Sequence, residues 1–89
     1  MTTAPRPAFE RGVRLRTADD GSAMLLVPEG AIKLNASAAA ALSLVDGRRT
    51  LDDIVAEICV RFAVSDARAR DDVGALFERL RLRRMLVLE

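Results

Sequence analysis

Side chains suited to catalysis are scarce in this sequence of 89 residues. It contains no histidine, tyrosine or tryptophan, and its single cysteine is Cys59. Histidine is the residue most often used for proton transfer near neutral pH, and zinc sites need several histidine or cysteine ligands. The sequence also lacks a glycine-rich phosphate-binding motif. We therefore expect no enzyme activity of its own, no metal site and no cofactor.

Residues 28–34 offer a different chemistry, that of the peptide backbone. Pro28 and Gly30 are typical of a tight turn. The large apolar residues Ile32 and Leu34 then alternate with Ala31 and Lys33, as in a half-buried strand. A short strand at the end of a small sheet leaves backbone N–H and C=O groups unpaired on one side. Such an edge is either protected against aggregation or used to bind another chain.

Two further strands are expected before this one. Alternation over residues 13–17 predicts a first strand, and the more apolar segment 23–27 predicts a second, central strand. The residues between them, 19–22, include aspartates and a glycine that suit a hairpin turn. Three consecutive strands with short connections predict an antiparallel meander.

The second half of the sequence has a helical period. Apolar stripes predict one helix over residues 36–45, a second after Thr50 and a third from Ser65. Either Asn35 or Ser37 can cap the first helix, and Thr50 begins a capping box for the second. The apolar residues 85–88 fit either a closing strand or an extension of the third helix. The predicted fold class is α+β: a winged-helix-like domain with a three-stranded antiparallel sheet followed by three helices.

The composition is that of one small domain. We expect a flexible N-terminal tail over residues 1–12, in which Phe9 could anchor to the core, and a folded domain over residues 13–89. The 14 basic and 13 acidic residues are dispersed, which argues against a nucleic-acid partner. No apolar run approaches the length of about 20 residues that spans a bilayer, and no signal peptide is recognisable. The sequence thus predicts a cytoplasmic protein with no membrane partner.

Several short motifs follow one another at characteristic spacings. They are Pro28-Glu29-Gly30, Leu34-Asn35 with Ser37-Ala38, and Leu44-Val45-Asp46-Gly47 with Thr50, followed by Ile54 and Phe62. Their order resembles the PqqD family of pyrroloquinoline quinone (PQQ) biosynthesis, over about residues 8–88. The resemblance implies a PqqD-like peptide-binding domain. Such a domain is a peptide chaperone and stand-alone RiPP recognition element, which binds the precursor peptide PqqA and presents it to the radical SAM enzyme PqqE.

The resemblance also implies where the peptide binds. It would add as a strand beside the third predicted strand, in a groove against the third helix. The matching positions are Ala31, Ile32, Lys33, Leu34 and Asn35 on the strand, with Val73, Phe77, Leu80 and Arg81 across the groove. Family members commonly have a glycine after the third helix, whereas residues 83–86 here contain none. This departure leaves open where that helix ends, and it leaves room for a homodimer formed by segment exchange.

Each of these positions has a structural alternative. Ile32 and Leu34 fit a core role, which is compatible with peptide binding by their backbone. Lys33 fits a charge that protects an edge strand from aggregation as well as it fits a peptide contact. The apolar residues of the third helix also fit simple packing against the sheet.

Two other functions compete with peptide binding. In a winged-helix DNA-binding domain the third helix would enter the major groove, but its first turns carry Asp66, Asp71 and Asp72 beside Arg68 and Arg70. The other alternative is a subunit that stabilises a partner enzyme without contacting the peptide.

Overall fold

The computed structural model describes residues 5–20 and 22–88. Within these residues the chain forms β1 (Pro7–Phe9), β2 (Arg14–Thr17), β3 (Ala23–Val27), β4 (Gly30–Leu34), α1 (Ala36–Ser43), α2 (Leu51–Phe62), α3 (Asp66–Leu82) and β5 (Leu86–Leu88). The predicted α+β architecture of a three-stranded antiparallel sheet followed by three helices is confirmed. The structure adds a second sheet that the sequence did not predict.

The three-stranded sheet has the order β2-β3-β4, so β3 is its central strand. Leu25 of β3 lies between Leu15 of β2 and Ile32 of β4 in the register, and its side chain is fully buried. The register pairs Val27 with Gly30, so the turn between β3 and β4 has only two residues. Gly21, the glycine expected in the turn between β2 and β3, lies outside the described residues.

Side-chain caps begin the helices as the sequence predicts. The side chain of Asn35 accepts a 2.8 Å hydrogen bond from the N–H of Ala38 at the start of α1. Thr50 and Asp53 form a reciprocal capping box at the start of α2. The expected end of α1 at residue 45 is wrong by two residues, because the helix ends at Ser43. Gly47, in the connection to α2, has a positive φ of +77°.

The expected flexible tail over residues 1–12 requires a correction. Residues 1–4 lie outside the described residues, but β1 pairs antiparallel with β5 and the side chain of Pro7 is buried. The carbonyl oxygen of Pro7 accepts a 2.9 Å hydrogen bond from the N–H of Gly47, which ties β1 to the helical layer as well. The strand was missed because three residues are too few to show a period and their partner lies at the other end of the chain. The same pairing makes residues 86–88 a strand.

The core lies between the sheet and the helices and also includes β5. Its fully buried large side chains include Leu25, Leu42, Ile54, Phe77 and Leu86, which come from five different elements. In residues 5–20 and 22–88 no polar or charged side chain is buried. The core described therefore contains no polar side chain whose desolvation a hydrogen bond must offset. None of the helices described is both long and apolar enough to cross a membrane.

Candidate functional site

The outer edge of β4 is the first component of the site. β4 is the last strand of its sheet and pairs only with β3 in the part of the chain that the structure describes. Its exposed side chains are those of Ala31 and Lys33, whereas Ile32 and Leu34 are half-buried against the core. The structure therefore gives Ile32 and Leu34 the core role that was one of their two predicted roles.

The direction of the backbone groups of β4 follows from the ladder. The N–H of Ala18 donates a 2.8 Å hydrogen bond to the carbonyl oxygen of Ser22, just before β3. Hydrogen-bonded and non-bonded pairs alternate in an antiparallel ladder, so residues 23, 25 and 27 of β3 turn their backbone groups towards β4. Their partners are residues 34, 32 and 30. The N–H and C=O groups of Ala31 and Lys33 consequently point outwards from the open edge.

A groove of about 620 Å³ begins where β4 ends. It is lined by Asn35, part of α1, the end of α2 and one face of α3. The lining residues are Asn35, Ser37, Ala38, Ala41, Ile58, Phe62, Val64, Arg68, Ala69, Asp72, Val73, Ala75, Leu76 and Arg79. Its volume is within the range of ligand-binding pockets. Nine of the fourteen lining residues are apolar, and the other five are Asn35, Ser37, Arg68, Asp72 and Arg79.

The predicted residues of α3 differ in whether they line the groove. Val73 lines the groove. Phe77 and Leu80 do not line it; they are 1% and 4% exposed and lie in the core. Arg81 is also absent from the groove lining, and its guanidinium donates a hydrogen bond to Glu78. The groove thus receives one of the four side chains expected from this helix.

Leu76 and Arg79 line the groove and were not predicted as site residues. Successive residues are about 100° apart around a helix, so the half-buried Leu76 lies beside the buried Ala69 and Val73, on the side away from Phe77. The signal was present in the sequence. The apolar stripe of α3 includes Leu76 as well as Phe77 and is wider than packing against the core alone requires.

Ion pairs neutralise much of the charge on α3. Arg68 lies 3.4 Å from Asp72, and Arg70 bonds to both Asp52 and Asp66. The hydrogen bonds that Arg70 donates to Asp52 and Asp66 raise its pKa above the ordinary value. Near the end of the helix, the bond from Arg81 lowers the pKa of the Glu78 carboxyl. Within residues 5–20 and 22–88, no cluster of three histidine, cysteine or acidic side chains could hold a metal ion.

A second concavity of about 500 Å³ lies along α2. Its lining includes Arg49, Asp53, Glu57 and Val60. None of its lining residues lies in a strand or directly beside one, whereas Asn35 of the first groove follows β4 directly. The first groove is therefore the better candidate for peptide recognition.

Comparison with known proteins identifies the family. Residues 22–86 match the family described as Coenzyme PQQ synthesis protein D (PqqD). The chain belongs to the PqqD family. The matched region runs from the start of β3 to the first residue of β5, so it contains both the open edge of β4 and the groove.

Similar proteins cover most of the chain. A PqqA binding protein of Stutzerimonas stutzeri (strain A1501) is 44% identical over 73 residues, which is 81% of this chain and 78% of that protein. A PqqA binding protein of Klebsiella pneumoniae (strain 342) is 52% identical over 56 residues, which is 62% of this chain and 61% of that protein.

A solved PqqD structure has the same fold. It is the solution NMR structure of the PqqD truncation of Methylobacterium extorquens PqqCD, described as a functional and stand-alone RiPP recognition element. The two structures superpose with a TM-score of 0.77 at 33% sequence identity, over 91% of this chain and 87% of that one. The predicted resemblance to the PqqD family is therefore confirmed.

Proposed function

We propose that this chain binds the precursor peptide PqqA as an added strand along the outer edge of β4 and presents it to the radical SAM enzyme PqqE. The chain supplies binding and orientation, and the enzyme supplies the chemistry. The observation that carries the proposal is the outward direction of the Ala31 and Lys33 backbone groups beside a groove. Relatives from S. stutzeri and K. pneumoniae that bear the name PqqA binding protein support the choice of peptide.

Affinity and selectivity come from different parts of the site. Each of Ala31 and Lys33 offers one backbone donor and one acceptor, which bind any extended peptide regardless of its sequence. Selectivity comes from the groove, where Val73 and Leu76 contact apolar side chains and Arg79 lies at the polar boundary. Phe77 and Leu80 support the groove from the core, and Arg81 has no direct part.

The proposal includes a cytoplasmic setting. The free Cys59 lacks a partner for a disulfide because it is the single cysteine of the sequence. A chain without disulfides is compatible with a reducing compartment.

DNA binding is the weaker candidate. Arg68 and Arg70, the cations in the N-terminal half of α3, already pair with Asp52, Asp66 and Asp72. Contact with phosphates would require these pairs to break beside the remaining carboxylates. A gel-shift titration at low salt tests this function, and saturable binding there would favour it.

Backbone amide shifts provide the first test. On titration with the S. stutzeri PqqA peptide, we expect saturable shifts at residues 31–35 and along the groove face of α3. Shifts confined to other surfaces would contradict the proposed site. Light scattering on the same samples shows whether a homodimer forms and whether the peptide changes it.

A proline pair provides the second test. Lys33→Pro removes an N–H from the open edge of β4 without removing a bond to β3, and proline is tolerated on edge strands. Thr17→Pro is the matched control, because the same alternation directs the N–H of Thr17 outwards from the opposite edge, that of β2. We expect Lys33→Pro to weaken PqqA binding and Thr17→Pro to leave it unchanged, with equal melting temperatures. Equal affinities of the two variants would refute strand addition at β4.

Binding to PqqE separates the proposal from the remaining alternative. If the chain presents the peptide, PqqE should bind the complex of this protein with PqqA, and Lys33→Pro should weaken recruitment of the peptide only. Binding to PqqE together with failure to bind PqqA would instead indicate a subunit that merely stabilises the enzyme.

A further inference from the structure

The outer face of the three-stranded sheet is covered by neither helices nor strands in the part of the chain described. The register arranges its side chains in two rows across the strands: Arg16, Met24 and Lys33 in one, and Arg14, Leu26 and Ala31 in the other. Met24 is 38% exposed, and the three basic residues are exposed.

The charged side chains on the strands of this face are all basic. Strands β2, β3 and β4 together carry three basic residues and no acidic one, although the whole sequence has a net charge of only +1. The ion pairs found within residues 5–20 and 22–88 involve other arginines. The nearest acidic residues, Asp19, Asp20 and Glu29, lie in the turns that join the strands and not on the strands themselves.

A strand added beside β4 would extend both rows by one residue. Side chains of a strand alternate between the two faces of a sheet. The peptide residue opposite Lys33 would therefore lie on the positive face. If the added strand is antiparallel, its Cα is about 5.5 Å from that of Lys33, because the two residues form a hydrogen-bonded pair. Its two neighbours along the peptide would point to the other face, towards the groove and Leu76.

We infer that the segment of PqqA that binds β4 carries an acidic side chain opposite Lys33, flanked by apolar side chains that enter the groove. This inference rests on the proposed strand addition and specifies the chemistry of the segment that the site selects. The alternation holds for either direction of the added strand, since it depends only on the pleat. Lys33 thus sets the register of the bound peptide in addition to protecting the edge.

A double-mutant cycle tests the inference. The S. stutzeri PqqA peptide and versions with each acidic residue changed in turn to glutamine are titrated against the unmodified protein, Lys33→Gln and Arg16→Gln. Arg16 is the matched control because it lies in the same row. It is separated from the added strand by about three strand spacings, or about 14 Å, which exceeds the screening length of about 8 Å at physiological salt.

The expected result is one acidic position whose replacement weakens binding about two- to five-fold with the unmodified protein and with Arg16→Gln. The same replacement should have no effect with Lys33→Gln. Exchanging the two charges, with Lys33→Glu in the protein and a lysine at that peptide position, should recover the lost affinity.

The outcomes separate this inference from the proposed function. If every acidic replacement has the same effect with Lys33→Gln as with the unmodified protein, the inference is overturned while strand addition stands. If PqqA does not bind, or if Lys33→Pro binds as tightly as Thr17→Pro, strand addition fails and the inference fails with it.

Discussion

The backbone N–H of Met85 donates a 2.9 Å hydrogen bond to the carbonyl oxygen of Leu80 and closes the end of α3. The N–H of Arg84 donates in turn to the carbonyl oxygen of Arg81 over 3.0 Å. These two bonds form a Schellman motif, in which Arg84 takes the left-handed conformation with φ of +60°. Glycine is the usual residue at this position, yet the helix stops without it. The absence of the glycine common in the family therefore does not prevent the helix from ending here, but it places a non-glycine residue in the left-handed conformation.

We expect Arg84→Gly to raise the free energy of unfolding by about 0.5–1 kcal/mol. The left-handed conformation costs a non-glycine residue about 1–2 kcal/mol, and the greater freedom of glycine in the unfolded chain offsets part of that gain. Urea denaturation measures the change. The adjacent Arg83, at φ of −90°, is the control: Arg83→Gly should lower stability. A loss of stability in both variants would show that Arg84 is not strained.

Ala8→Pro should destabilise the protein by about 1–3 kcal/mol, the cost of leaving a partner group without its hydrogen bond. Glu10 bonds to Met85 over 3.1 Å, so the alternation of the ladder assigns the N–H of Ala8 to the strand pairing with Val87. Thermal denaturation compares this variant with Arg6→Pro, which lies just before β1. Equal melting temperatures for the two variants would mean that the β1–β5 pairing contributes nothing to stability.

Truncation of Phe77 should mainly lower stability, whereas truncation of its neighbour Leu76 should mainly lower the affinity for PqqA. Phe77→Ala should cost about 3–5 kcal/mol of stability because it opens a cavity in the core. Leu76→Ala should cost much less, because its side chain is only half-buried, but it should weaken PqqA binding. Denaturation and peptide titration of both variants provide the measurements. If Leu76→Ala bound PqqA with unchanged affinity, the groove face of α3 would not contact the peptide.

The Asp46 carboxyl should titrate below its ordinary pKa. It accepts hydrogen bonds from the backbone N–H groups of Arg49 and Arg48, at 2.8 and 2.9 Å, and these bonds lower its pKa. Because the folded state favours the ionised form, this stabilisation is complete above about pH 4 and is lost as the pH falls through the lower folded-state pKa.

Asp46→Asn keeps an oxygen acceptor and removes the titration. Urea midpoints measured from pH 7 to pH 2 should fall less steeply for this variant than for the unmodified protein. Carbon-13 NMR of the carboxyl group gives the pKa directly. An ordinary pKa at Asp46 would show that these backbone bonds do not persist in solution.

Local patterns in the sequence predicted most of the fold. The three strands of the main sheet and the starts of the helices depend on alternation, turn residues and caps, which act over a few residues. The capping box of Thr50 and Asp53 is the clearest case. The pairing of β1 with β5 could not be predicted in this way, because it joins the two ends of the chain and each strand has only three residues.

The candidate site was predictable to different extents on its two sides. The edge of β4 follows from the position of one strand after a tight turn. On α3, a stripe of apolar residues shows which side is inward, but not where the core ends and a groove begins. Phe77 and Leu76 differ by one position and belong to different surfaces. That boundary depends on how α3 sits on α2 and β5, which is a property of the tertiary packing.

The β1–β5 ribbon has a consequence for fusion proteins. Because the first and last strands are neighbours in their own sheet, a domain or tag joined to either end would emerge from this sheet and not from β4. Linkage through a flexible spacer should therefore leave the outer edge of β4 accessible.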